Sequence, residues 1–176
     1  PYAASKAAQD MVCMTYFASY NFPIIRTRAF NHEGPRRDKV FGIPWYAYQI
    51  AKIEKGLQDP FMEVGHLDDK RNFTHVVDMV KAYWSAIEKC NPGELYLVGS
   101  EDQEDIHTFR EALETLISLS TNKSIEYEIV PKYVRPTQVP FLICDNSKFC
   151  KLTGWKPEIG FKGILIDTLD YWRSKV

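Results

Sequence analysis

Tyr2 and Lys6 stand four residues apart at the start of a segment with helical periodicity, so phenol and ammonium share one helix face. An ammonium beside a phenol favours the phenolate and lowers its pKa from about 10. A tyrosine tuned in this way can pass a proton to or from a substrate hydroxyl near neutral pH. The spacing equally fits a half-buried tyrosine with a solvated lysine one turn on. Further along, Asn31-His32-Glu33-Gly34-Pro35-Arg36-Arg37 gathers an amide, an imidazole and two guanidinium groups. Taken alone, Arg36 and Arg37 read as a solvated loop.

The elements that must position these groups can be read from periodicity. Residues 3–20 form a helix with an apolar stripe of Ala4, Ala7, Ala8, Met11, Met14 and Ala18, rich enough in small residues for a close neighbour. A strand over residues 24–30 follows, then a glycine- and charge-rich loop over 31–42. The next helix turns Tyr46, Ile50, Ile53 and Leu57 to one side, and residues 61–64 make a short strand. Thr74 is placed to cap a helix that buries Val76, Val77, Val80, Trp84 and Ile87. Residues 95–98 read as a strand covered on both faces. Thr108 and Glu111 form a capping box, residues 125–129 alternate as a half-wet strand, and Gly154 closes a short helix. A last helix carries Ile164, Leu165, Leu169 and Trp172. Helices and strands alternate, which makes the fold α/β.

Composition narrows the function classes. A net charge of −1 and an ordinary globular profile exclude a non-specific grip on nucleic acid or an anionic membrane. No apolar run approaches the roughly 20 residues of a membrane span. Cys13, Cys90, Cys144 and Cys150 lack metal-ligand spacing and read as reduced thiols, hence a cytoplasmic protein with no metal site. The chain opens on Pro1, and no signal peptide is expected in front of it.

Taken together and in order, these strings resemble the extended short-chain dehydrogenases, the NAD-dependent epimerase/dehydratase group. The Asn-His-Glu-x-Pro-Arg-Arg string is similar to that of the GDP-mannose 4,6-dehydratases. The segment from Val64 to His75 and Arg135-Pro136-Thr137-Gln138-Val139 are similar to two more of their segments, and Gly154-Trp155-Lys156-Pro157 to a C-terminal turn. The resemblance implies a Rossmann-type fold with a small substrate-binding domain. It makes Tyr2 and Lys6 the catalytic pair and also cofactor contacts. It gives His32 and Arg37 to NADP (or NAD), Asn31 to the sugar nucleotide, and Arg71 and Arg135 to the diphosphate of a GDP-sugar. Trp155 reads as packing, and Asp69 and Lys70 as surface charge. Gln138 stands where these dehydratases usually carry an acidic residue near the nucleotide ribose.

By the same resemblance, residues of about 1–35 and 74–100 belong to the cofactor domain, and about 36–73 and 101–176 to the substrate side. The implied reaction turns GDP-mannose into GDP-4-keto-6-deoxymannose, in a homo-oligomer. Reduction of GDP-4-keto-6-deoxymannose, or another NAD(P)-dependent epimerase/dehydratase reaction, remains the alternative. So does a sugar-nucleotide binding or assembly module without chemistry. The Gly-rich dinucleotide loop of the family has no counterpart among these residues, so this chain alone is expected to be inactive and to expose apolar surface.

Overall fold

The computed structural model describes residues 1–100, 106–134 and 139–176. It opens with α1 (Tyr2–Tyr20), β1 (Arg26–Ala29), β2 (His32–Glu33), α2 (Gly42–Glu54), β3 (Phe61–Val64), β4 (Lys70–Asn72) and β5 (Thr74–His75). Then follow α3 (Val76–Lys89), β6 (Leu95–Val98), β7 (Ile106–Thr108), α4 (Phe109–Leu119), β8 (Glu126–Ile129), β9 (Phe141–Leu142), α5 (Ser147–Thr153) and α6 (Phe161–Arg173). Strands β1 and β6 pair in parallel, as do β2 with β5 and β3 with β8. Strand β4 lies between antiparallel β7 and parallel β9.

Two apolar cores support this arrangement. Met79, Ala82, Tyr96, Val98, Phe149 and Trp155 join α3, β6 and α5. Tyr46, Ile50, Met62, Leu113, Leu116 and Ile164 join α2, β3, α4 and α6. Capping follows local chemistry. Glu111 N–H donates to Thr108 Oγ1 at 3.0 Å while Glu111 Oε2 accepts from Thr108 N–H at 2.8 Å, closing the expected capping box. Gly154, at φ 72°, ends α5 in the left-handed conformation.

Helix α3 departs from expectation. Val77, Val80, Trp84 and Ile87 are exposed, Trp84 by 66% and Ile87 by 73%. The face that packs is Asp78, Met79, Ala82 and Ala86. The helix carries two apolar stripes, and the polar anchor decides between them. Buried Asp78 Oδ2 accepts from the backbone N–H of Glu158 at 2.9 Å and of Ile159 at 2.8 Å, while Trp155 Nε1 donates to Asp78 O at 3.1 Å. The cap is also His75 rather than Thr74, its Nδ1 accepting from Val77 N–H at 3.1 Å. Leu57 is exposed because α2 ends at Glu54 and Gly56, at φ 69°, turns the chain away. On β6, Tyr96 and Val98 are buried but Leu95 and Leu97 only half so, so one face is less covered than expected.

Candidate active site

Helix α1 lies along β1 in the opposite direction. Phe17 sits on Gly93, whose N–H donates to Ile24 O at 2.7 Å. One helical stretch earlier, Asp10 Oδ1 accepts from Arg26 Nη1 at 3.2 Å and Oδ2 accepts from Arg28 Nη2. Stepping back along α1 therefore moves forward along β1. Tyr2 lies eight residues before Asp10, about 12 Å by helical rise, or roughly four strand residues. Continued at that rise, the helix runs Tyr2 towards the C-terminal end of β1. Lys6 Nζ is 5.8 Å from the Tyr2 ring centroid and donates to Gln9 Oε1 at 3.3 Å. The pair thus shares one face, with Tyr2 74% exposed.

At the same end of the strands, β2 and the loop after it meet the start of α3. Between them lies a cleft of about 600 Å³, whose lining includes His32, Glu33, Arg36, Arg37, Phe41 and Lys81, with Val76, Val77 and Val80 as its apolar wall. Register sets this approach, because His32 pairs with Thr74 and Glu33 with His75. Gly34 is required at φ 144°, where a Cβ would lie 2.8 Å from Val76 Cγ1. His32 Nδ1 is 2.9 Å from Phe30 O, a carbonyl that can only accept, so Nδ1 carries a hydrogen. Arg37 stacks on Phe41, with Cζ 3.8 Å from the ring centroid.

Glu33 is buried beside Arg37, whose Nε is 3.2 Å from Glu33 Oε2. Burial pushes the Glu33 carboxyl up to about 7, and Arg37 acts in the opposite direction. The loop string is thus mixed: Glu33 and Gly34 are buried and Arg37 half-buried, while Arg36 stays exposed as a solvated loop residue. The lining holds three cations (Arg36, Arg37, Lys81) and two acidic side chains (Glu33, Asp38) with an apolar wall, a set that fits a phosphate-bearing, ring-containing ligand. Sequence reading missed Glu33, Lys81 and the valine wall. The parallel pairing of β2 with β5, which brings them together, leaves no local pattern in a two-residue strand.

Arg71 lies elsewhere, on β4, opposite His107 of β7 and beside Leu142 of β9. It is nearly buried, with Nη1 donating to Lys70 O at 2.7 Å and Nη2 3.4 Å from Asp69 Oδ2. Burial lowers its pKa and Asp69 opposes that. Asp69 also lies 3.3 Å from His66 Nδ1, so it is a partner within this cluster rather than free surface charge. Asn31 supports the cleft through its backbone, Asn31 O accepting from Thr74 N–H at 3.0 Å. Arg135 and Gln138 lie outside the described residues.

This parallel-stranded α/β arrangement has counterparts among known proteins. Among solved structures, that of RMD from Pseudomonas aeruginosa complexed with NADPH superposes with a TM-score of 0.88 at 33% identity, covering 100% of this chain and 57% of that one. A dTDP-glucose 4,6-dehydratase from Bacillus anthracis in complex with NAD superposes at 0.78 with 26% identity, covering 99% of this chain and 52% of that one. Among sequences, a GDP-6-deoxy-D-mannose reductase of Pseudomonas aeruginosa is 34% identical over 100% of this chain and 57% of its own length. GDP-mannose 4,6 dehydratase 1 of Arabidopsis thaliana is 32% identical over 94% of this chain and 45% of its own. The sequence model described as GDP-mannose 4,6 dehydratase matches residues 1–168, and the chain belongs to that family. It spans about half the length of the curated relatives it matches.

Proposed function

We propose that these residues belong to an NADP(H)-dependent enzyme of GDP-mannose metabolism that converts GDP-mannose to GDP-4-keto-6-deoxymannose. What supports this reading is the family match over residues 1–168, together with the Tyr2–Lys6 face on α1 and the cleft lined by His32, Arg36 and Arg37. When bound, the nicotinamide ring supplies hydride exchange at the sugar carbon. Tyr2 takes the proton of the hydroxyl being oxidised, with Lys6 beside it on the same helix face. Arg37 and His32 hold the cofactor, Asn31 orients the sugar nucleotide, and Arg71 and Arg135 take the diphosphate. Residues of about 1–35 and 74–100 form the cofactor side, and about 36–73 and 101–176 the substrate side. The setting is cytoplasmic and the working form a homo-oligomer, a reading that the exposed apolar stripe of α1 supports.

The reductase reading has support of its own in the 34% identity to the Pseudomonas enzyme over the whole chain. There Tyr2 gives its proton to a C4 ketone as it is reduced. One experiment separates the two. The natural gene product is incubated with GDP-mannose and NADP, and separately with GDP-4-keto-6-deoxymannose and NADPH, and the products are weighed by mass spectrometry. Loss of water in the first reaction supports the dehydratase. Gain of two hydrogens in the second alone moves the function to the reductase. No change in either leaves a binding module.

A further inference from the structure

Glu33 has no role in the chemistry above, yet it is placed where it can control it. Its carboxyl is 3% exposed on β2, at the wall of the cleft. Among the described residues no donor makes a hydrogen bond to Oε2, and its near neighbour Arg37 Nε, at 3.2 Å, lies out of line for one. A buried carboxylate with one unsatisfied oxygen is costly while charged. The other charged groups around it do not supply the missing donor. On β5, His75 stands in register with Glu33, but its Nδ1 accepts from Val77 N–H and its Nε2 is turned to Asp167 of α6 at 3.3 Å. On α3, Lys81 is engaged with Asp78 and Glu158. His32, Arg36 and Asp38 come from the same segment as Glu33.

Arg37 is held at two places, its Nε edge towards Glu33 and its face on Phe41. We infer that Glu33 is a proton-linked regulator of the cleft: ionised, it ties up the charge of Arg37, and protonated, it leaves that charge to the phosphate of a bound dinucleotide. Binding of the phosphate therefore draws a proton onto Glu33. The linkage follows from electrostatics alone, since a second anion near a buried carboxylate disfavours its ionised form. Neutral burial of Glu33 near physiological pH makes the exchange accessible.

This rests on the reading of the cleft as the cofactor site, and the test separates the two. NADP affinity of the natural gene product is measured by calorimetry from pH 6 to 8.5, alongside Glu33→Gln, in two buffers of different ionisation enthalpy. The difference between the proteins cancels the titration of the ligand's own phosphate. Wild type should bind about three- to tenfold tighter at pH 6 than at pH 8.5 relative to Glu33→Gln. It should also take up a fraction of a proton at pH 7 that the variant does not. Glu33→Gln, locked in the neutral form, should bind NADP more tightly than wild type at pH 8.5, a gain that a merely damaged fold cannot give. Parallel pH profiles with equal proton uptake overturn the inference and leave the cofactor site standing. Failure of wild type to bind NADP at any pH removes the cofactor reading itself. If Glu33→Gln does not fold, proton uptake by wild type is compared with that of Arg37→Met. Equal uptake in those two proteins also overturns it.

Discussion

Arg173 grips Glu54 with two parallel hydrogen bonds, Nε to Oε2 and Nη2 to Oε1, both 2.8 Å, tying the last helix to the end of α2. Ser120 Oγ and Thr121 N–H add bonds to Oε1 at 3.1 and 2.9 Å. Arg173 first, and then these donors, hold the Glu54 carboxyl down at about 2 against the effect of burial. A carboxyl held below its ordinary value stabilises the fold while it is ionised. That contribution is complete above about 4.5 and disappears as pH falls towards 2. Glu54→Gln should therefore cost about 2 kcal/mol in urea melts at pH 7 and nearly nothing at pH 2. A cost that does not change with pH would mean that packing, not charge, makes this contact matter.

Tyr2→Phe keeps the ring and removes the hydroxyl that the proposed reaction needs. Turnover should fall about a hundredfold or more, with GDP-mannose affinity and melting temperature near wild type. The exposure of Tyr2 makes the comparison clean, because no buried hydroxyl is lost. A phenylalanine variant with wild-type turnover would leave the Tyr2–Lys6 pair as surface.

Arg71 offers a sharper choice, since its guanidinium already touches Lys70 O and Asp69. As a diphosphate ligand, Arg71→Ala should weaken GDP-mannose binding by more than roughly 1.5 kcal/mol, the scale of one charge-assisted hydrogen bond. Titration calorimetry reads the affinity and a thermal melt reads the fold. A fallen melting temperature with unchanged affinity would make Arg71 a strut of the β7-β4-β9 sheet.

How far the sequence reached differs from residue to residue. The Tyr2–Lys6 face was legible because both groups belong to one helix, where spacing is geometry. The capping box of Thr108 and Glu111 and the left-handed Gly154 were legible for the same local reason. The buried face of α3 was not, because two apolar stripes compete and the choice lies with Asp78 and the distant backbone at 158–159. Nor was the Glu33–Arg37–Phe41 arrangement, since only the register of β2 against β5 and the left-handed Arg36, at φ 72°, fold that loop over the start of α3. Arg135, read from its motif, lies outside the described residues.

The seat of α1 can be tested at a glycine near its other end. Gly93 adopts φ 83°, and a Cβ there would fall 2.2 Å from Cε1 of Phe17. Phe17, with Asp10 and Cys13, is the side of α1 that faces the rest of the chain. Gly93→Ala therefore meets two costs: left-handed strain of about 1 kcal/mol, and displacement of the Phe17 ring for about 1–3 more. In a Phe17→Ala background the second cost should vanish, leaving about 1 kcal/mol. Urea melts of the four proteins close this cycle, and additive losses would show that Phe17 does not rest on Gly93. Moving Phe17 also tilts α1 about its contact with Arg26 and Arg28, and the far end of that helix carries Tyr2 and Lys6. Gly93→Ala should thus lower turnover even where the protein is fully folded, with GDP-mannose affinity retained, since a small misplacement of a proton-transfer group costs rate before it costs binding.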